Sequence, residues 1–125
     1  MDKETVEKTK KTAALYFKDV TGEKPYDLWK SFDKEIANDL SLFITGKMYA
    51  REKLPHKTRQ LITVAALTAL SKTEELKLHI QAGLNVGCTA EDIAEVIFQT
   101  MIYAGVPAGN SALKALREVI NQKKP

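Results

Sequence analysis

The segment TEELKLHIQAGLNVG, residues 73–87, places an imidazole and a carboxylate on a side that is otherwise apolar. Glu75 and His79 stand four residues apart, a spacing that brings side chains together on one face of a helix. Leu76, Ile80, Gly83 and Leu84 belong to the same side. A neighbouring carboxylate favours the imidazolium and burial disfavours it, so the two effects compete. The expected outcome is a proton exchangeable near neutral pH, which is what a general acid or base needs. The same spacing fits a core histidine satisfied by Glu75, and spacing alone leaves both roles open.

Gln60, in the string KTRQL, is a polar residue entering an apolar run one helix earlier. It either points at the cavity that His79 faces or looks into solvent near its helix start. Arg51, Lys53, His56, Lys57 and Arg59 gather before and within the first turn of that helix, where positive charge opposes the helix dipole. Acidic neighbours or a bound anion must compensate. Arg59 suits a two-pronged contact with a carboxylate, and equally a salt bridge that pins the helix. Tyr103, just before AGVP, offers a hydroxyl to a pocket or packs its ring and leaves the tip wet. The histidine–carboxylate set is too small for a catalytic zinc site, which takes three protein ligands, so no metal is expected. Cys88 is the one cysteine, which excludes an internal disulfide and a multi-thiolate metal site.

These residues need helices to position them. Gly and Pro divide the chain into segments of helical length and period, and no alternating strand is seen. A charged helix over about 3–19 carries a narrow stripe of Val6, Ala13, Ala14 and Phe17, with TGEKP ending it. A second, about 26–45, repeats Leu28, Trp29, Phe32, Ile36, Leu40, Phe43 and Ile44 at three- and four-residue steps, and Gly46 is its expected stop. Trp29 and Phe32 read as core. The third, about 56–70, contains LITVAALTAL and should be buried nearly all round. The fourth is the opening segment, closed by Gly87 in a left-handed cap. Thr89 then caps a fifth helix, about 90–104, with Asp92 as its box partner and Cys88 and Ile93 as a hydrophobic staple. That helix holds more apolar surface than one side needs, which points to contact with another subunit. A sixth, about 109–121, follows AGVPAG and uses Leu113, Leu116, Val119 and Ile120. The expectation is an all-α class of about six helices in a single domain over residues 1–125, with the third to fifth central.

The bulk properties narrow the function. The net charge is +3 with basic and acidic residues interleaved, which falls short of a nucleic-acid signature. The excess sits partly in KKTAALYFK and QKKP, which read as solvated ends. No apolar run approaches the ~20 residues of a membrane helix. MDKETVEKTKK lacks the apolar region of a secretory signal, so the expected location is the cytoplasm.

Four strings carry a resemblance: LPHKTRQLITVAAL (54–67), ELKLHIQAGLNVG (75–87), TAEDIAEVIFQ (89–99) and YAGVPAG (103–109). Together they resemble the carboxymuconolactone decarboxylase family, over roughly residues 54–110. The resemblance implies an alkylhydroperoxidase D-like helical fold that assembles as trimers or hexamers, with sites at subunit contacts. It implies two branches. One decarboxylates γ-carboxymuconolactone in aromatic catabolism without a cofactor. The other is a thiol peroxidase that uses a Cys-x-x-Cys pair just upstream of the same histidine. Those thiol positions fall here at Lys72 and Glu75, which form neither a sulfenic acid nor a disulfide, so the peroxidase cycle is unavailable. Gln60 stands where members commonly carry glutamate, which removes one possible proton acceptor. His79 matches the family histidine.

The expectation that follows is a lyase acting on a small lactone or carboxylate. His79 delivers a proton, Glu75 orients and charges it, and Arg59 or Lys57 holds a carboxylate, with Gln60 and Tyr103 as further binding residues. The rival is an oligomeric small-molecule binding or accessory protein without catalysis, which Gln60 and the missing thiols also fit. A nucleic-acid binder built on residues 51–59 is the third reading, and the acidic residues elsewhere argue against it.

Overall fold

The computed structural model describes residues 2–122. The described residues are all-α, and the chain divides into two compact units, Met1–Leu54 and Pro55–Pro125. Residues 123–125 of the basic QKKP end lie outside the described part.

The first unit holds α1 (Lys3–Tyr16), α2 (Pro25–Lys30), α3 (Lys34–Ser41) and a π-helical continuation of α3 over Leu42–Tyr49. α1 is capped by Asp2, whose carboxylate accepts the Glu4 N–H at 3.0 Å. It ends at Tyr16, three residues short of the expected boundary, and its buried positions are Thr12 and Tyr16 while Ala14 is exposed. The Tyr16 ring meets Tyr49 edge-on, with centroids 5.4 Å apart and planes at 81°. The single helix expected over 26–45 is two. Asp33 breaks it, because its carboxylate accepts the Ile36 N–H at 3.0 Å and so starts a new helix. The interruption changes the register of the apolar stripe. Phe32 is 86% exposed and Trp29 half-buried, so neither is the core residue expected, and Ala37 takes the buried position.

Gly46 also departs from expectation: it lies inside the π-helical segment and stops nothing. It is buried, and a Cβ there would collide with Thr9 Oγ1 and stand 3.1 Å from the Thr5 carbonyl oxygen of α1. The glycine is therefore where two backbones come close. Gly46→Ala is expected to destabilise this unit by about 1–3 kcal/mol, the usual effect of overpacking. Urea unfolding of wild type and variant measures it, and equal midpoints would show that α1 moves aside freely.

The second unit is α4 (His56–Ala69), α5 (Thr73–Asn85), α6 (Ala90–Ala104) and α7 (Val106–Gln122). Its core is Val64 from α4, Leu76 and Ile80 from α5, Ile93 and Ile97 from α6, Cys88 between the last two, and Ala112, Ala115, Leu116 and Val119 from α7. α4 is buried along one face only, at Gln60, Val64 and Thr68, while Ile62 and Leu70 are exposed. The apolar run LITVAALTAL thus serves one stripe and leaves the rest outward. α7 starts three residues before the expected position, because only Gly105 breaks the chain and Pro107 fits the first turn of a helix. Lys77 on α5 ties to Glu118 on α7 at 2.7 Å.

The α5–α6 joint is defined by local chemistry. The Cys88 N–H donates to the Gly83 carbonyl at 2.9 Å and the Gly87 N–H to Leu84 at 3.2 Å, a Schellman closure with Gly87 at φ +101°. Two residues on, Thr89 Oγ1 accepts the Asp92 N–H at 3.0 Å and Asp92 Oδ2 accepts the Thr89 N–H at 2.9 Å. The expected cap and box are present, and Cys88 and Ile93, the expected staple, are both buried in the core. Among the described residues no helix is long and apolar enough to cross a membrane.

Candidate functional site

The α4–α5 contact joins two polar side chains inside the second unit. Gln60 is fully buried on α4, and its Oε1 lies 3.0 Å from Nδ1 of His79 on α5. An amide oxygen only accepts, so Nδ1 carries the proton and Nε2 of the ring carries the lone pair. Gln60 thereby fixes the tautomer of His79. Gly83 lies one turn beyond His79, and its Cβ position is 3.7 Å from Gln60 Cβ, Cys88 Sγ and Ile93 Cδ1 alike. The wall next to Gln60 is apolar.

Burial and the Glu75 charge do compete over the His79 proton, as expected, and burial wins. Desolvation lowers the His79 pKa from 6.5 to about 4, with the Glu75 carboxylate acting in the opposite direction as the smaller influence. Glu75 is exposed, and water weakens its pull. In the ligand-free protein the imidazole is neutral at pH 7, which corrects the expectation of a proton balanced near neutrality. The partner seen on Nδ1 is Gln60, where Glu75 was expected to orient the ring.

The lowered value has a stability consequence. Between pH 6.5 and about 4 the unfolded chain takes up a proton at this histidine and the folded chain does not. Folding is therefore insensitive to this group above pH 6.5, loses stability as pH falls through that window, and loses no more below it. The loss is on the order of 3 kcal/mol. Urea unfolding at a series of pH values should show that slope in wild type and a flatter one in His79→Leu. Parallel slopes would mean that His79 titrates alike in both states.

The other expected residues are not all brought here. Lys57 is one turn before Gln60, but its aliphatic stem runs 3.7 Å from the Gly87 Cβ position and its charge acts on Cys88 and Asp92. Its carbonyl accepts the Cys88 thiol at 3.6 Å. Arg59 is half-buried beside Gln60 in sequence, turned about 100° around the helix from it. Tyr103 is 87% exposed and lines an open depression of about 300 Å³ with Ala69, Gln99, Thr100 and Ala104. Ala69 is nine residues after Gln60, about 13 Å along α4, so that depression lies at the other end of the helix from His79. Within one chain Tyr103 and His79 form separate sites.

Asp92 is held below the usual carboxylate range by the hydrogen bonds from Thr89, with Lys57 adding to the effect. The Cys88 thiol is pushed up by burial and by Asp92. It stays protonated at neutral pH and is a poor nucleophile, in keeping with its role in the staple. Among the described residues no three His, Cys, Asp or Glu side chains gather as a metal site would require. The sequence reading missed the direct Gln60–His79 bond. Its signal was present: Gln60 begins the series Gln60, Val64, Thr68, whose four-residue spacing continues the buried stripe of α4 back to the amide.

Known proteins share this arrangement of sequence. A 4-carboxymuconolactone decarboxylase of Acinetobacter baylyi is 39% identical over 88 residues, covering 70% of this chain and 66% of that protein. An uncharacterized 15.0 kDa protein of Paracoccus denitrificans is 38% identical over 76 residues, covering 59% of this chain and 57% of its own length. A nitrosuccinic acid decarboxylase of Metarhizium robertsii is 29% identical over 76 residues, covering 61% of this chain and 53% of its own length. The matches span less than two thirds of each relative. The family model of the carboxymuconolactone decarboxylases matches residues 35–118, which begin within α3 and reach into α7, with Gln60, Glu75 and His79 between. The chain belongs to the carboxymuconolactone decarboxylase family.

Proposed function

We propose that the chain is a cofactor-independent carbon–carbon lyase that decarboxylates a small lactone or related carboxylic acid, with His79 moving the proton. The observation that supports this most is the bond between buried Gln60 and half-buried His79, found in a chain two of whose relatives are named for decarboxylation. Those two names describe different substrates, a carboxylated lactone and a nitro acid. Both offer an electron sink near the carboxylate, so a common site would need only to bind the anion and return a proton.

A substrate carboxylate enters a poorly hydrated site beside a neutral imidazole. Negative charge there favours the imidazolium, so binding brings a proton from solvent onto His79 Nε2. The bond from carbon to the carboxylate breaks and CO2 leaves. The electron pair moves into the conjugated carbonyl or nitro group. His79 then gives its proton to the carbon and returns to the neutral form. The substrate itself supplies the sink, so this reaction takes no cofactor. Glu75 biases His79 toward the charged form, and Arg59 or Lys57 is assigned to the substrate carboxylate. Homo-oligomers, as trimers or hexamers, are part of the proposal. The outward α6 residues Phe98, Ile102 and Tyr103 offer an apolar contact for them, and Tyr103 reaches substrate only in such an assembly.

The test is direct. Purified protein is incubated with 4-carboxymuconolactone, and then with nitrosuccinic acid, while absorbance and released CO2 are followed. Turnover of either supports the reading. Tight binding of both without CO2 release would make this a binding protein instead.

A further inference from the structure

We infer that Gln60 is a substrate-binding donor: while Oε1 holds His79, the amide Nε2 donates to an acceptor oxygen of the bound molecule. The donor rests on geometry, and the identity of the oxygen, a carboxylate or the enolate left by CO2 loss, rests on the decarboxylase reading above.

Among the described residues, Gln60 Nε2 and Thr68 Oγ1 are the buried side-chain nitrogen or oxygen atoms without a hydrogen-bond partner. The two differ in freedom. A hydroxyl rotates until it finds an acceptor, but an amide is planar, and His79 already fixes its oxygen at 3.0 Å. The direction of Nε2 is thus set, and its two N–H groups are held beside the imidazole in a fully buried residue. A buried donor left unpaired destabilises the empty site, and a ligand oxygen would remove that penalty. The groups next to the donor are uncharged or apolar, and the charges beyond them are of both signs. Gln60 and the ligand-free His79 are both uncharged, Gly83 and Ile93 next to them are apolar, and the Cys88 thiol keeps its proton. On α5 the exposed Glu75 acts on His79, on α6 Asp92 acts on Cys88, and on α4 Lys57 acts on Cys88 and Asp92.

Glutamate at position 60 has nearly the same shape and the opposite chemistry. It would accept where the amide donates, and its negative charge would favour the imidazolium form of the ring. Gln60→Leu removes donor and acceptor together, and Gln60→Asn keeps the amide with a shorter reach.

The experiment follows the Gln60 side-chain amide by nitrogen–proton NMR in the full chain, assigned by its loss in Gln60→Glu and Gln60→Leu. The titrant is succinate, a dicarboxylate that does not lose CO2. The expected result is a downfield, saturable shift of the Gln60 amide protons, with His79 in the Nδ1–H tautomer before titration. In kinetics with 4-carboxymuconolactone, Gln60→Leu should lower kcat/KM about 10- to 100-fold, through KM where the amide holds the substrate carboxylate and through kcat where it holds the enolate. His79 in Gln60→Glu should hold its proton to higher pH than in wild type. Gln60→Asn, checked for folding by circular dichroism, should fall between.

An amide indifferent to succinate and lactone in a protein that turns the lactone over would overturn the inference and leave the decarboxylase reading standing. So would an Nε2–H tautomer of His79 with the amide already donating to the ring. An amide that responds to succinate in a protein inert toward both acids supports the donor role and sinks the lyase reading instead.

Discussion

Replacing His79 with alanine is expected to lower kcat/KM for 4-carboxymuconolactone by about 10³-fold, within the range that one positioned acid or base contributes. The helical fold should survive. The second unit is held by Val64, Leu76, Ile80, Ile93, Ile97 and the small residues of α7, none of which depends on the imidazole. The substitution does leave Gln60 Oε1 without its donor, a cost of about 1–3 kcal/mol that should appear as a lower unfolding midpoint. His79→Asn, which keeps a polar amide near Gln60, separates the two effects: it should recover stability without recovering turnover. Circular dichroism and initial rates measured together decide the matter. Full activity in folded His79→Ala would remove this residue from the chemistry.

The pH profile is the second large effect, and its sign carries the assignment. kcat/KM reports the ionisation of the free protein, in which burial lowers the His79 pKa to about 4. If the imidazolium is the proton donor, log kcat/KM falls by about one unit for each pH unit above that value, since free protein and proton must come together with substrate. kcat reports the complex, where the bound carboxylate favours the charged ring, so its plateau should extend to higher pH. A general base would give the reverse, with kcat/KM rising from pH 4 and then flat. Rates over about pH 5–8 in buffers of constant ionic strength distinguish the two: a general base is already on its plateau there, so a flat kcat/KM profile would refute proton delivery by His79.

The second unit was legible from its sequence because its signals are local. TAED states a capping box, NVG states a left-handed closure, and both are made by residues within five positions of one another. The first unit was harder. The three- and four-residue repeat from Leu28 to Ile44 continues through Ser31-Phe32-Asp33, so period alone argues for one helix. Only the competition of Asp33 for a backbone N–H divides it. Gly46 misled for a related reason. In sequence a glycine after an apolar run reads as a stop, yet here it is the point where a π-helical turn touches α1, a contact that no local pattern announces. His79 stood out in the sequence as a polar residue on an apolar side, and its hydrogen-bond partner did not. Glu75 is near in sequence and Gln60 nineteen residues away, and only the packing of α4 on α5 shows which of them reaches the ring.

The sheltered thiol between α5 and α6 has a practical reach. Cys88 is 4% exposed and the only sulfhydryl in the chain. Alkylating reagents require a thiolate in contact with solvent, and this position supplies neither the charge nor the access. A cysteine engineered onto any outward helix face would therefore be labelled selectively in the otherwise native sequence. Fluorophores or spin probes could then follow motion and assembly without first stripping out the natural residue.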